Sequence, residues 1–180
     1  MLNKRIALDV MGGDHAPDQI VRGALQACSR DGKWKLSPER VLLVGDETVI
    51  RAKLTEFGGD PGFPIQHASQ VVGMAESPAA ALRGKPDSSI AVSVGAVKKG
   101  AAGALVSMGN TGAVVGAATL GLGTLAGVRR PAIAVTLTWD QRVALGDLTG
   151  GSFALTLYGT GTDQTTWNSG AYDPTLDQTC

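Results

Sequence analysis

The chain is poor in several features that would declare a function at once. It has two cysteines in 180 residues, one at Cys28 in an expected helix and one at the last position, Cys180. Neither spacing suits a metal site or a disulfide framework, so the expected setting is reduced and cytoplasmic. It has no charge surplus, since 16 Lys and Arg balance 16 Asp and Glu. A dedicated nucleic-acid binder would need a basic excess to neutralise phosphates, so no nucleic-acid partner is expected. It lacks a run suited to a bilayer: the uncharged stretch Gly112–Val128 is short for a span and carries five glycines, which reads as a buried helix. Lys4 and Arg5 precede only a few apolar residues before Asp9, so no signal peptide is expected. No P-loop pattern occurs, and Gly121-Leu-Gly123 lies within a helical pattern rather than at the strand–helix turn a dinucleotide fingerprint requires.

What is present is 43% hydrophobic residues, 25 glycines and a regular alternation of strand and helix signals. Strands are expected at Arg5–Val10, Val41–Val44, Phe63–His67, Ala102–Ser107 and Pro131–Leu137. Helices are expected over Asp18–Arg30, from Asp46 to Gly58-Gly59, from Ser77-Pro78, from Asp87-Ser88-Ser89 to Lys98-Lys99-Gly100, and from Asn110-Thr111. Asp46 can cap its helix, and Pro78 suits a first helical turn. The glycines inside Ala113–Gly127 (Gly116, Gly121 and Gly123) each cost up to about 1 kcal/mol against alanine, so close backbone packing is the expected compensation. Strands alternating with helices imply a layered α/β/α fold with a mainly parallel sheet.

Two segments carry candidate chemistry. Asp9-Val-Met-Gly12-Gly13-Asp14-His15-Ala-Pro17 follows the first strand, and its glycines let backbone amides approach a ligand with no Cβ in the way. Ser107-Met-Gly109-Asn110-Thr111-Gly112-Ala113 follows the fourth. In a parallel sheet both loops emerge at the carboxyl edge, where open α/β sheets bind ligands. Free N–H groups at a helix start, with the Ser107 and Thr111 hydroxyls, make an anion site; ordinary capping by Asn110 or Thr111 is the plainer reading. His67 ends the third strand at the same edge, and His15 adjoins Asp14; either is a hydrogen-bond donor or a structural residue. Asp9 and Asp14 are as readily a turn and a cap as a metal pair, and no metal is expected. Arg83, Lys85, Arg129 and Arg130 are the cations nearest these loops in sequence, with solvated charge as their default role.

In order and spacing, several segments together resemble the bacterial phosphate acyltransferase family of phospholipid synthesis, the PlsX family. They are Ile6–Pro17, Leu43-Val-Gly-Asp-Glu47, His67-Ala-Ser-Gln-Val-Val72, Met74-Ala-Glu-Ser-Pro78, Asp87-Ser-Ser89, Ser107–Ala113 and Arg130-Pro-Ala-Ile-Ala134. The resemblance covers about the first three-quarters of the chain. It implies an isocitrate/isopropylmalate dehydrogenase-like fold, usually a homodimer, and conversion of acyl-[acyl carrier protein] and inorganic phosphate to acyl phosphate and free carrier protein. It implies no redox cofactor or nucleotide. Candidate catalytic residues are His15, His67 and Asn110. Asp9, Gly12, Gly13, Asp14, Ser107, Gly109, Asn110, Thr111 and Gly112 are the candidates for phosphate. Family members continue through a second half that supplies the other cleft wall, dimer contacts and a membrane-associating segment.

After about Thr138 the composition shifts. Trp139–Cys180 has no Lys, no Glu and one Arg, and holds both tyrosines and two of the three tryptophans. Residues 1–138 therefore read as the N-terminal part of an acyltransferase-like α/β domain, and 139–180 as a divergent polar tail. A polar extension and a shifted reading frame explain that tail equally well. Leu155–Tyr158 can form a strand, whereas Gly159–Thr166 can bury little. The truncated chain is expected to be inactive or barely active. The competing readings are a phosphotransacetylase- or dehydrogenase-like enzyme on the same fold, and a non-catalytic binding fragment.

Overall fold

The computed structural model describes residues 5–29, 35–124 and 128, and the strands 154–158 and 164–168. The chain divides into two units, Met1–Gly123 and Thr124–Cys180. In the first, β1 (Arg5–Asp9), α1 (Asp18–Cys28), β2 (Val41–Gly45), α2 (Glu47–Glu56), β3 (Ile65–His67), α3 (Pro78–Gly84), α4 (Ser89–Lys98), β4 (Ala102–Val106) and α5 (Thr111–Leu122) follow in order. The sheet is parallel throughout, with strand order β3-β2-β1-β4.

The alternation along β2 shows why the sheet is covered on both faces. All five of its residues are buried. Val41 and Leu43 pack with Val21, Ala24, Ile50 and Leu54 of α1 and α2. Leu42 and Val44 point the other way, towards Ala96 of α4. A strand buried on both faces reads as a continuous apolar run, which is what Val41-Leu-Leu-Val44 is. Beyond α4, Val94 and Ile90 join Ala81 of α3 and Ala113 and Ala117 of α5 in a third cluster.

Tight helix packing explains the glycines of α5. A Cβ on Gly116 would lie 2.6 Å from Leu82 Cδ1 of α3, and one on Gly121 would lie 2.5 Å from Val94 Cγ1 of α4. The helix stops at Gly123, whose φ of +82° suits glycine, four residues short of the expected Gly127. Local signals elsewhere hold well. The Asp46 carboxylate accepts from Thr48 N and Val49 N at 2.8 and 3.2 Å, Pro78 opens α3, and Ser88 caps α4 through Ala91 N at 3.3 Å. β3 is shorter than expected, because Phe63 and Pro64 precede the ladder. The expected strand Pro131–Leu137 lies outside the described residues.

In the second unit, β5 (Ala154–Tyr158) pairs antiparallel with β6 (Gln164–Asn168). The sequence suggested β5 only. The Thr165-Thr-Trp167 run is rich in β-branched and aromatic residues that favour extended backbone, and this outweighs its polarity.

Candidate active site

Strand order fixes where a ligand site can form. The chain moves outward from β1 to β2 and β3, then returns to place β4 on the other side of β1. Because crossovers are right-handed, this reversal sends the connections to opposite faces: α1 joins the α2 face and α5 packs with α4. The loops after β1 and β4 therefore diverge and leave a crevice at the switch point, the place where open parallel sheets bind ligands. The two loops singled out in the sequence are those two.

They are fastened together. Asp9, fully buried at the end of β1, accepts from Met11 N at 3.1 Å and from Ser107 Oγ at 2.6 Å. Ser107 Oγ in turn accepts from Gly109 N at 3.0 Å. The glycines make this approach possible. A Cβ on Gly12 would strike the Asp9 carboxylate and lie 2.9 Å from Gly109 N. Gly13 has φ of +110° with Met108 directly against it, a conformation that favours glycine.

Asn110 has two structural tasks. Its Oδ1 caps α5 by accepting from Ala113 N at 3.0 Å. Its Nδ2 donates to the carbonyls of Gly73, Met74 and Glu76 at 3.2, 3.1 and 2.9 Å. Both ends of the Asn110 amide are thus engaged within the protein. The same bonds reveal a neighbour the sequence reading did not assign to the site: the segment Gly73–Glu76. Lys85 Nζ holds it from the other side, through Glu76 at 2.6 Å and the Val71 carbonyl at 2.8 Å. Lys85 is thus not simply solvated. Its ammonium, with the Gly73 N–H, keeps the Glu76 carboxyl below its ordinary range. The pattern Met74-Ala-Glu-Ser-Pro78 was a signal for this segment, although nothing local showed which loop it would meet.

The anion-donor set is narrower than expected. The Gly109 N–H and Ser107 hydroxyl are spent on each other and on Asp9. The Thr111 and Gly112 N–H groups, in the first turn of α5, have no intrahelical acceptor and sit at the positive end of a 12-residue helix. Thr111 and Gly112 are exposed, as are Asp14 and His15 on the facing loop. Asp9 turns inward while Asp14 is exposed, so the two do not act as a pair.

His67 stands apart from this crevice. It ends β3, the outer strand, two strand spacings or roughly 10 Å from β1. Its Nδ1 accepts from Glu47 N at 3.2 Å, which satisfies an orphan donor at the start of α2. This bond occupies Nδ1, so the catalytic expectation for His67 rests on Nε2 alone. Nearby, Asp87 accepts from Ser69 Oγ at 2.6 Å and Ser69 N at 2.9 Å, and these bonds, helped by His67, lower the Asp87 carboxyl. Arg83 bonds the Ala79 carbonyl at 3.1 Å on its own helix. Arg129 and Arg130 lie outside the described residues, and among those described no helix is long and apolar enough to cross a membrane.

Comparison with known proteins follows the same loops. The profile of a family described as "Fatty acid synthesis protein" matches residues 4–145. The phosphate acyltransferase of Heliobacterium modesticaldum is 49% identical over 135 residues, 74% of this chain and 38% of that protein. Those of Magnetococcus marinus and Desulforamulus reducens are 49% and 46% identical, covering 72% and 78% of this chain and 36% and 40% of their own lengths. The chain thus spans about two-fifths of the length of these curated relatives. With both crevice loops inside the matched region, the chain belongs to the fatty acid synthesis protein family, alongside proteins named phosphate acyltransferase.

Proposed function

We propose that the crevice between β1 and β4 is the phosphate-binding part of an acyltransferase that converts acyl-[acyl carrier protein] and inorganic phosphate to acyl phosphate and free carrier protein. The observation that carries this reading is the N-terminus of α5, with the Thr111 and Gly112 amides, placed at the topological switch point opposite the Gly12-Gly13 loop. Phosphate is itself the nucleophile, so the protein has to hold it, orient it and stabilise a tetrahedral oxyanion. A phosphate oxygen attacks the thioester carbon, the C–S bond breaks, and the sulfur leaves as thiolate and takes up a proton. His15, exposed on the facing loop, is the group proposed to supply it.

Thr111→Pro tests the phosphate assignment directly. It removes both the hydroxyl and the N–H at the first helical position, where proline is well tolerated, and Asn110 already has the extended ψ of 109° that a following proline prefers. Phosphate affinity should fall about 10-fold, the equivalent of one charge-assisted hydrogen bond. Unchanged affinity in a folded variant sinks the assignment.

The chain spans about two-fifths of its relatives, and we further propose that on its own it turns over little or no substrate. The carrier protein is acidic, so its binding should weaken with salt. Binding that persists without turnover would favour the non-catalytic reading. A dehydrogenase on this fold would instead bind NAD(H), which titration detects.

A further inference from the structure

We infer that Asp9 is a positioning residue for the anion site rather than a ligand of the anion; this rests on the phosphate reading of the α5 N-terminus. A carboxylate beside an oxyanion site is electrostatically unfavourable, and burying one is costly unless donors satisfy it. Asp9 is fully buried and has a donor on each oxygen, Met11 N at 3.1 Å and Ser107 Oγ at 2.6 Å. The second has the length of a charge-assisted hydroxyl–carboxylate bond. It spans 98 residues of sequence and ties β1 to the loop after β4.

The bonds run in one direction. With its proton committed to Asp9, the Ser107 hydroxyl offers a lone pair to Gly109 N at 3.0 Å. That bond sets the turn one residue before the α5 cap, and Asn110 then aligns Thr111 and Gly112. Gly12 packs across the relay so closely that a Cβ there would meet both the Asp9 carboxylate and Gly109 N. Asp9 therefore acts on phosphate only through Ser107, Gly109 and the helix start they fix. Its negative charge is turned into the fold.

The two roles for Asp9 predict opposite signs. If Asp9 lay against bound phosphate, Asp9→Asn would relieve repulsion and tighten binding. If Asp9 positions the loop, the same change puts an amide N–H against one of two donors and weakens binding. The experiment is calorimetric titration of the full chain with inorganic phosphate, for the wild type, Asp9→Asn, Ser107→Ala, the double variant and Ser107→Thr, with thermal melts reporting the fold. Where turnover is measurable, KM for phosphate is compared with KM for the acyl donor.

Asp9→Asn and Ser107→Ala should each lose about 10-fold in phosphate affinity, the worth of one such bond. The double variant should lose no more than the weaker-binding single, because both changes break one relay. Ser107→Thr keeps the hydroxyl and should stay within about twofold. KM for the acyl donor should move far less than KM for phosphate, which a general loss of structure would not allow. Should Asp9→Asn fail to fold, Ser107→Ala leaves the charge in place and carries the test. Undiminished phosphate binding by a folded Asp9→Asn or Ser107→Ala variant, or fully additive losses in the pair, overturns the relay alone. A wild-type chain that takes up no phosphate overturns the α5 reading and the relay with it.

Discussion

The two sides of the sheet's carboxyl edge hold similar residues put to different uses. On the β3 side, His67 bonds the start of α2, and Ser69, just after β3, bonds Asp87, just before α4. On the β1–β4 side, Ser107 bonds Asp9 across 98 residues of sequence, and Asn110, on the same loop as Ser107, bonds the Gly73–Glu76 segment. The difference follows from topology. Between β2 and β3 the crossover advances in one direction, so its helix covers the adjoining edge. Between β1 and β4 the connections leave to opposite faces and open a crevice. Polar residues on the first side cap a helix and join neighbouring segments, and those on the second fasten the loops that border the crevice.

The strongest test of this contrast is Asn110→Ala. It removes the α5 cap, at about 1 kcal/mol, and deprives three carbonyls of a donor, at about 1–3 kcal/mol more for groups partly shielded from water. A stability loss of about 3 kcal/mol in a denaturant melt is expected, together with loss of phosphate binding. A loss under about 1 kcal/mol would mean that the Gly73–Glu76 segment is held in place without this side chain.

Gly12→Ala should come next. The added methyl meets the Asp9 carboxylate and the Gly109 amide, neither of which is the free end of a flexible chain, and overpacking of this kind costs about 2 kcal/mol. Gly116→Ala makes a sharper control. Its clash is with Leu82 Cδ1, a movable methyl, and alanine recovers up to about 1 kcal/mol of helix propensity. Gly12→Ala should therefore destabilise more than Gly116→Ala and should alone weaken phosphate binding.

The contrast also sets what could be read from sequence. Contacts within a few residues were legible: Asp46 over Thr48 and Val49, Pro78 opening α3, and Ser88 over Ala91. So was the placing of two glycine loops at one edge, because parallel strands share a carboxyl edge. The partners of Asp9 and Asn110 were not legible. Those bonds span 98 residues in one case and 34 to 37 in the other, and they depend on β4 docking beside β1, which no local pattern encodes. The distance of His67 from the crevice was not legible either, because an edge position does not say which strand lies next to the crevice. Asn110 shows that a cap and a loop clasp can be one side chain.

His67→Ala should have a small effect. It frees Glu47 N at an exposed position, where water can replace the imidazole, so about 0.5 kcal/mol of stability is expected to be lost. Phosphate affinity should not change. A tenfold loss of affinity in this variant would return His67 to the site and break the division between the two sides.

Acid titration offers the finest comparison, since each side has one carboxyl held below its ordinary range: Glu76 by Lys85 and Gly73 N, and Asp87 by Ser69. A carboxyl lowered in the folded state releases its proton more readily there than in the unfolded chain. Its contribution to stability is thus complete above the unfolded pKa of about 4 and fades as pH falls through the lowered folded value. Both groups face solvent in part, so the effects are small. Glu76→Gln and Asp87→Asn should each flatten the fall in melting temperature below about pH 4. Only Glu76→Gln should also make the Gly73–Glu76 amides exchange faster at neutral pH, because only Glu76 secures a segment that borders the crevice. Equal exchange in the two variants would show that the clasp on that segment is Asn110 alone.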